Sequence, residues 1–200
     1  VLKSPRFLFR EVGEVPDSYD VAARLSFGLW NSIPDQELMR AAAANRLATR
    51  DQVVQQAERM LSDLRAKARL HEFLLTWLNL NRERDLSKDP ETFPGFDEYA
   101  IADLRTSLEL FLDDVLWSEG ADFRRLLLDE GVFLNDRLAK FYANQVSVDE
   151  SFAKVEFDDG ARAGVLTHPY LMASLSDRRQ SSPIHRGVLL ARSVLGVSLR

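Results

Sequence analysis

From Asp17 to about Leu80 apolar residues recur every three or four positions, and turn residues separate the runs. This is the period of helices that bury one face and wet the other. Four such helices are predicted. Asp17 or Ser18 opens the first, which turns Val21, Ala22, Leu25 and Leu29 inward. Pro34 opens a second that runs through Ala41 to Ala44. Thr49 and Gln52 have the spacing of a capping box for the third, the hydroxyl accepting from an amide three residues on while the glutamine reaches back. Asp63 precedes a fourth, in which Leu64, Ala68, Leu75 and Leu78 share one side.

The stretch 82–96 is polar and carries Pro90 and Pro94, so it reads as a surface connection. A long helix is expected from Asp97 to about Trp117, with Ile101, Leu104, Leu108, Phe111 and Val115 as its buried stripe. Gly120 and Gly131 punctuate shorter helices near 123–128 and 135–142. Then the period changes. Val155, Glu156 and Phe157 alternate, and Asp158-Asp159-Gly160 is a tight-turn signal before 162–165, which predicts a hairpin. Residues 166–175 read as a helix with Pro169 in its first turn, and 177–181 as a loop. A terminal helix follows, with Ser182 accepting from exposed amides and Pro183 in a first-turn position that needs no N–H. The expected fold class is mainly α, a multi-helix globular assembly with a small β-hairpin in the C-terminal part.

At 200 residues with 46% hydrophobic content, the chain is long enough to bury roughly 70% of its unfolded surface, so one sizeable domain or two joined ones fold without staples. A net charge of -5 argues against a phosphate-binding surface, and no nucleic-acid partner is expected. The longest apolar runs are broken by His71-Glu72, Asn79 or Arg192, so no membrane insertion by this segment is expected. The sequence has no cysteine nucleophile, no Gly-rich phosphate cradle and no Gly-x-Ser-x-Gly elbow.

Few side chains offer chemistry. His185 sits in the first turn of the terminal helix, where the dipole favours neutral imidazole, a state suited to a structural hydrogen bond, a contact with an adjoining domain or a metal. Arg186 beside it reads first as a salt bridge tying the terminal helix to the domain, and second as a group that binds a ligand carboxylate. His168 lies at the start of the helix before the loop and faces His185 if the terminal helix folds back. His71 reads as a half-buried core histidine; a zinc-protease helix would need a second histidine where Leu75 stands. The doublets Asp113-Asp114, Asp129-Glu130 and Asp158-Asp159 read as solvated or turn residues, because neighbours in a helix point apart. Phe7, Phe9, Phe27, Trp30, Trp77 and Trp117 read as core, with Arg6, Arg10 and Arg24 in a stacking and ion-pair network among the first of them.

Several motifs occur in a fixed order: Ser4-Pro5-Arg6-Phe7-Leu8-Phe9-Arg10, Ala23-Arg24-Leu25-Ser26-Phe27-Gly28-Leu29-Trp30-Asn31-Ser32-Ile33-Pro34-Asp35, Phe93-Pro94-Gly95-Phe96-Asp97, Phe133-Leu134-Asn135-Asp136-Arg137-Leu138-Ala139 and Ser181-Ser182-Pro183-Ile184-His185-Arg186-Gly187. In these the chain resembles, over nearly its whole length, the paired domains of unknown function in planctomycete-type cytochrome proteins. The resemblance implies a first unit over 1–145 and a second, truncated one over 146–200. It implies large extracytoplasmic proteins, of the periplasm or cell envelope, in which such domains sit among c-type haem modules. With no cysteine, this chain attaches no haem covalently, so haem c is expected in adjoining domains of the parent polypeptide, and those domains are the expected partners. The start at Val1 without methionine and the stop at Arg200, before an expected proline-rich continuation, predict a piece of a larger protein. The expected function is the non-haem helical body that positions haem modules, with His168, His185 and Arg186 as candidate cofactor contacts. Alternatives are a substrate-binding or catalytic domain of a haem-linked oxidoreductase acting on an environmental polymer or small molecule, and an interaction scaffold without redox role.

Overall fold

The computed structural model describes residues 15–80, 86–118, 122–142, 150–157 and 162–198. The Ser4 to Arg10 motif with its Arg6 and Arg10, Gly120, the 144–150 boundary as far as residue 149 and the Asp158-Asp159-Gly160 turn lie outside them. By its packing the chain divides into two compact units, Val1–Leu74 and Leu75–Arg200. The 145/146 division implied by the resemblance falls inside the second unit, between two strands that pair.

The first unit is helical. Helix α1 (Ser18–Trp30) starts where predicted because Asp17 accepts from the amides of Tyr19 and Asp20, while Asp20 reaches back to the Asp17 amide. Helix α2 (Gln36–Ala43) starts two residues later than Pro34 implied. The reason is Asp35, whose carboxylate accepts from the Leu38 amide at 2.8 Å and so takes the cap. Helix α3 (Arg50–Leu61) has the expected Thr49–Gln52 capping box. Helix α4 (Leu64–Trp77) follows Asp63 as expected, but its buried stripe differs. Leu64 is 79% exposed and Ala68 is exposed; Ala66 and Leu74 go inward instead. Its Asp63 cap is paired with Arg65, whose guanidinium stacks 3.5 Å from the Trp30 ring centre, and this fixes the rotation of the first turn so that Ala66 meets the core.

Trp30 organises this unit. It is 5% exposed, packs with Ala22, Leu38, Ala41, Leu47 and Met60, and donates its indole N–H to the Met60 carbonyl at 2.9 Å. Arg59 binds the Asp35 carboxylate through two nitrogens, at 2.9 and 3.2 Å, so the residue that caps α2 also anchors α3.

The second unit is built around α5 (Glu98–Trp117), capped by Asp97 as predicted. Leu104, Leu108, Phe111 and Val115 are buried as expected; Ile101 is half-buried, and Ala100, Ser107 and Leu112 join the stripe. Helix α6 (Arg125–Leu128), strand β1 (Gly131–Leu134), helix α7 (Asp136–Ala139) and strand β2 (Ala153–Glu156) follow, then α8 (Pro169–Ser174) and α9 (Pro183–Leu189). Together the described residues form nine α-helices and one small antiparallel sheet, so the mainly α class stands.

The strand pairing corrects the expected hairpin. β2 pairs with β1, Val132 opposite Val155 and Leu134 opposite Ala153, and not with 162–165. Residues 165–167 form a 3-10 turn. Burial decides the matter: Val132 and Leu134 cover α5 together with Leu104 and Leu138, so β1 carries the apolar face β2 needs. The period of 131–134 is too short to separate it from the helices on either side.

The 86–96 connection is tied down rather than loose. The Lys88 ammonium donates to the carbonyls of Ala173, Ser176 and Asp177 at 2.9, 3.0 and 3.2 Å, which satisfies the end of α8. Asp89 donates its amide to the Arg178 carbonyl and pairs its carboxylate with Arg179.

Two acidic residues read as solvated are drawn together. Asp114, on α5, and Asp129, after α6, each bind both Arg125 and Lys154: Arg125 at 2.6 and 2.8 Å, Lys154 at 2.9 and 3.0 Å. The fold joins one member of each doublet. The Asp129 side chain is 9% exposed. Burial pushes both carboxylates up, yet the hydrogen bonds from Lys154 and Arg125, helped at Asp129 by the Gly131 amide, outweigh it and hold them below their usual range. Two cations balance two anions, which makes this a clamp between α5, α6 and β2 rather than an acid–base pair. Lys154→Met is expected to cost about 1–2 kcal/mol at neutral pH, because the half-buried carboxylates then share one guanidinium. The urea midpoint measures it.

Candidate functional site

His168 is the N-cap of α8 and is 3% exposed. Its Nδ1 accepts from the Tyr170 amide at 3.3 Å, so the proton of the neutral ring sits on Nε2 and points to Ser107 Oγ at 3.3 Å. The Ser107 hydroxyl donates in turn to the Phe133 carbonyl. A polar chain thus runs from α8 through α5 to β1, and the ring packs on Phe111. Burial, and secondarily the Arg162 charge, push the imidazole down to about 3. Both nitrogens are engaged inside the unit.

His185 stands elsewhere, exposed on α9. The structure places it in a different environment from His168: one ring is enclosed against α5, the other faces solvent. Ser182 caps α9, its hydroxyl accepting from the His185 amide at 3.5 Å, and Pro183 occupies the first turn as expected. Beyond Leu189 the helix widens into a π turn over Leu190–Val194, with the Leu195 amide reaching the Leu190 carbonyl. The Ser193 carbonyl accepts from the Trp77 indole at 2.6 Å, which ties the end of α4 to the π turn.

Between these elements lies a cleft of about 380 Å³. Trp77, Leu175, Val188 and Leu189 give it an apolar lining. Thr76, Asn79, His185, Arg192 and Ser193 supply polar groups. None of the lining residues is acidic. His185, Val188, Leu189 and Arg192 follow the spacing of one helix face, 0, 3, 4 and 7. That spacing was legible in the sequence, where Arg192 registered only as a break in an apolar run. Arg186 is half-buried on the same helix and lies outside the lining. His71 is half-buried on α4, as its position implied.

Residues 17–143 match the family model described as PSD4, Protein of unknown function (DUF1592). The chain belongs to the PSD4 (DUF1592) family. Comparison with the curated proteins and with the solved structures found no match. The PSD4 match runs from the Asp17 cap to just past α7, so it takes in the Trp30 core, α5 and β1. The cleft is formed partly by the PSD4 region, through Thr76, Trp77 and Asn79, and partly by the stretch that follows it. Among the described residues no helix is long and apolar enough to cross a membrane. No group of three or more His, Asp or Glu residues among them is arranged to hold a metal ion.

Proposed function

We propose that this PSD4 chain is the non-haem helical body of a larger extracytoplasmic redox protein, and that it positions haem-bearing domains of the same polypeptide. The ordered motifs described above, which resemble those of planctomycete-type cytochrome proteins, support the reading. Haem c would belong to the adjoining domains, since a chain without cysteine forms no thioether bond to it. The carrying observation is the terminal helix. Ile184 is 76% exposed, and beside it His185 and Arg186 have no ion pair among the described residues, although acidic residues outnumber basic ones by 31 to 26. A guanidinium without an ion pair among the described residues, next to an exposed apolar side chain and an exposed imidazole, suits a partner that brings carboxylates, as haem propionates do.

His168 drops out of that contact surface, because its ring is enclosed and both nitrogens are committed. His185 and Arg186 remain. The test uses the parent polypeptide. Its mass is expected to exceed the sequence mass by whole haem groups and its reduced spectrum to show c-type bands; a haem-free parent overturns the reading. Within a haem-bearing parent, Arg186→Glu is expected to speed hydrogen exchange of the α9 amides by about tenfold or more, as a docked helix is released. Unchanged exchange removes α9 as the contact.

A further inference from the structure

The cleft beside α9 shares His185 with the docking face but does not involve Arg186. Its size lies at the lower end of the range for small-molecule sites. Part of its lining is apolar: Leu175 and Leu189, which are buried, with Trp77 and Val188. The rest of the lining carries donors. Arg192 has no ion pair among the described residues, none of the lining residues is a carboxylate that could neutralise it, and Asn79 and His185 also line the cleft. The π turn matters here, because it brings Arg192 and Ser193 to the cleft while Trp77 holds the Ser193 carbonyl. Apolar lining residues beside an uncompensated guanidinium select for a molecule with the same division.

We propose that this cleft binds a small organic carboxylate with a flat apolar body, the carboxylate on Arg192 and the body over Trp77, Val188 and Leu189. The site goes beyond the docking reading and stands or falls without it. Neither haem nor the parent polypeptide enters its test.

Benzoate is the probe, titrated into the ¹⁵N-labelled chain, with benzyl alcohol as the uncharged counterpart and inorganic phosphate as the anion without an apolar body. The Trp77 indole N–H, assigned through Trp77→Phe, and the Val188 and Leu189 amides are expected to shift saturably with benzoate. Benzyl alcohol and phosphate are each expected to bind about tenfold more weakly or worse, since each forfeits one half of the recognition. Arg192→Gln is expected to weaken benzoate about tenfold or more, whereas the charge-matched Lys140→Gln, far along the chain on an exposed lysine, leaves it unchanged. Arg192 is exposed, so its variant keeps the fold, which an unchanged thermal melt checks. Absence of saturable shifts at millimolar benzoate, equal binding of phosphate, or full binding by Arg192→Gln overturns the proposal.

Discussion

Gly164→Ala is expected to destabilise the second unit by about 3 kcal/mol or more, read as a fall in the urea midpoint at unchanged slope. Gly164 has φ 58° and ψ −165°, a region that residues with a side chain scarcely enter. It is buried against the end of α6, where its amide donates to the Asp129 carbonyl at 2.7 Å. An added methyl would fall inside contact distance of the Leu126 carbonyl oxygen and the Leu127 backbone, neither of which can swing away as a side-chain tip can. Two penalties therefore add. Gly196 separates them, since it also has positive φ, at 64°, but open space around the missing side chain. Gly196→Ala is expected to cost only about 1 kcal/mol. Similar costs at the two positions would mean that the close approach to α6 contributes nothing.

His168→Ala is expected to cost about 3 kcal/mol near pH 7.5, because it opens a cavity against Phe111 and removes the acceptor for the Tyr170 amide. The pH dependence identifies the residue more sharply than the magnitude. Unfolded, the imidazole takes a proton near 6.5; in the fold it stays neutral down to about 3. The unfolded chain therefore binds more protons across that window, so the stability this ring contributes is complete above pH 6.5 and is lost as pH falls toward 3. The slope approaches about 1.4 kcal/mol per pH unit. Between pH 6.5 and about pH 5 the loss is expected to reach about 1.5 kcal/mol, above the range in which the Asp114 and Asp129 carboxylates begin to protonate. His168→Asn keeps an acceptor at the cap without titrating there, and its stability curve is expected to lack this component. Parallel curves for the wild type and His168→Asn over that interval would show that the ring is charged in the fold.

The helix starts at Asp17, Thr49, Asp97 and Ser182 were legible in the sequence because a cap is local: the side chain and the amide it satisfies lie two or three residues apart. The long α5 stripe was legible for a related reason, since twenty residues of consistent period outweigh any single exception. Its Ser107 was not. A buried serine in an apolar stripe makes sense only once β1 supplies the Phe133 carbonyl and α8 the His168 ring. The candidate site divides in the same way. His185 and its place in the first turn of α9 could be read directly, whereas the partition of His168 into the core required α5 to be laid against it.

Sequence alone determined the mainly α class and most helix boundaries, since these depend on short-range hydrogen bonds and periodicity. Tertiary structure decided that β1 is the partner of β2, that Ala66 rather than Leu64 faces the core, that Asp114 meets Asp129, and that Arg192 shares a cleft with Trp77. Each joins groups tens of residues apart or weighs one helical face against another. No local preference encodes such choices; they follow from which apolar surfaces can cover one another while every buried polar group keeps a partner.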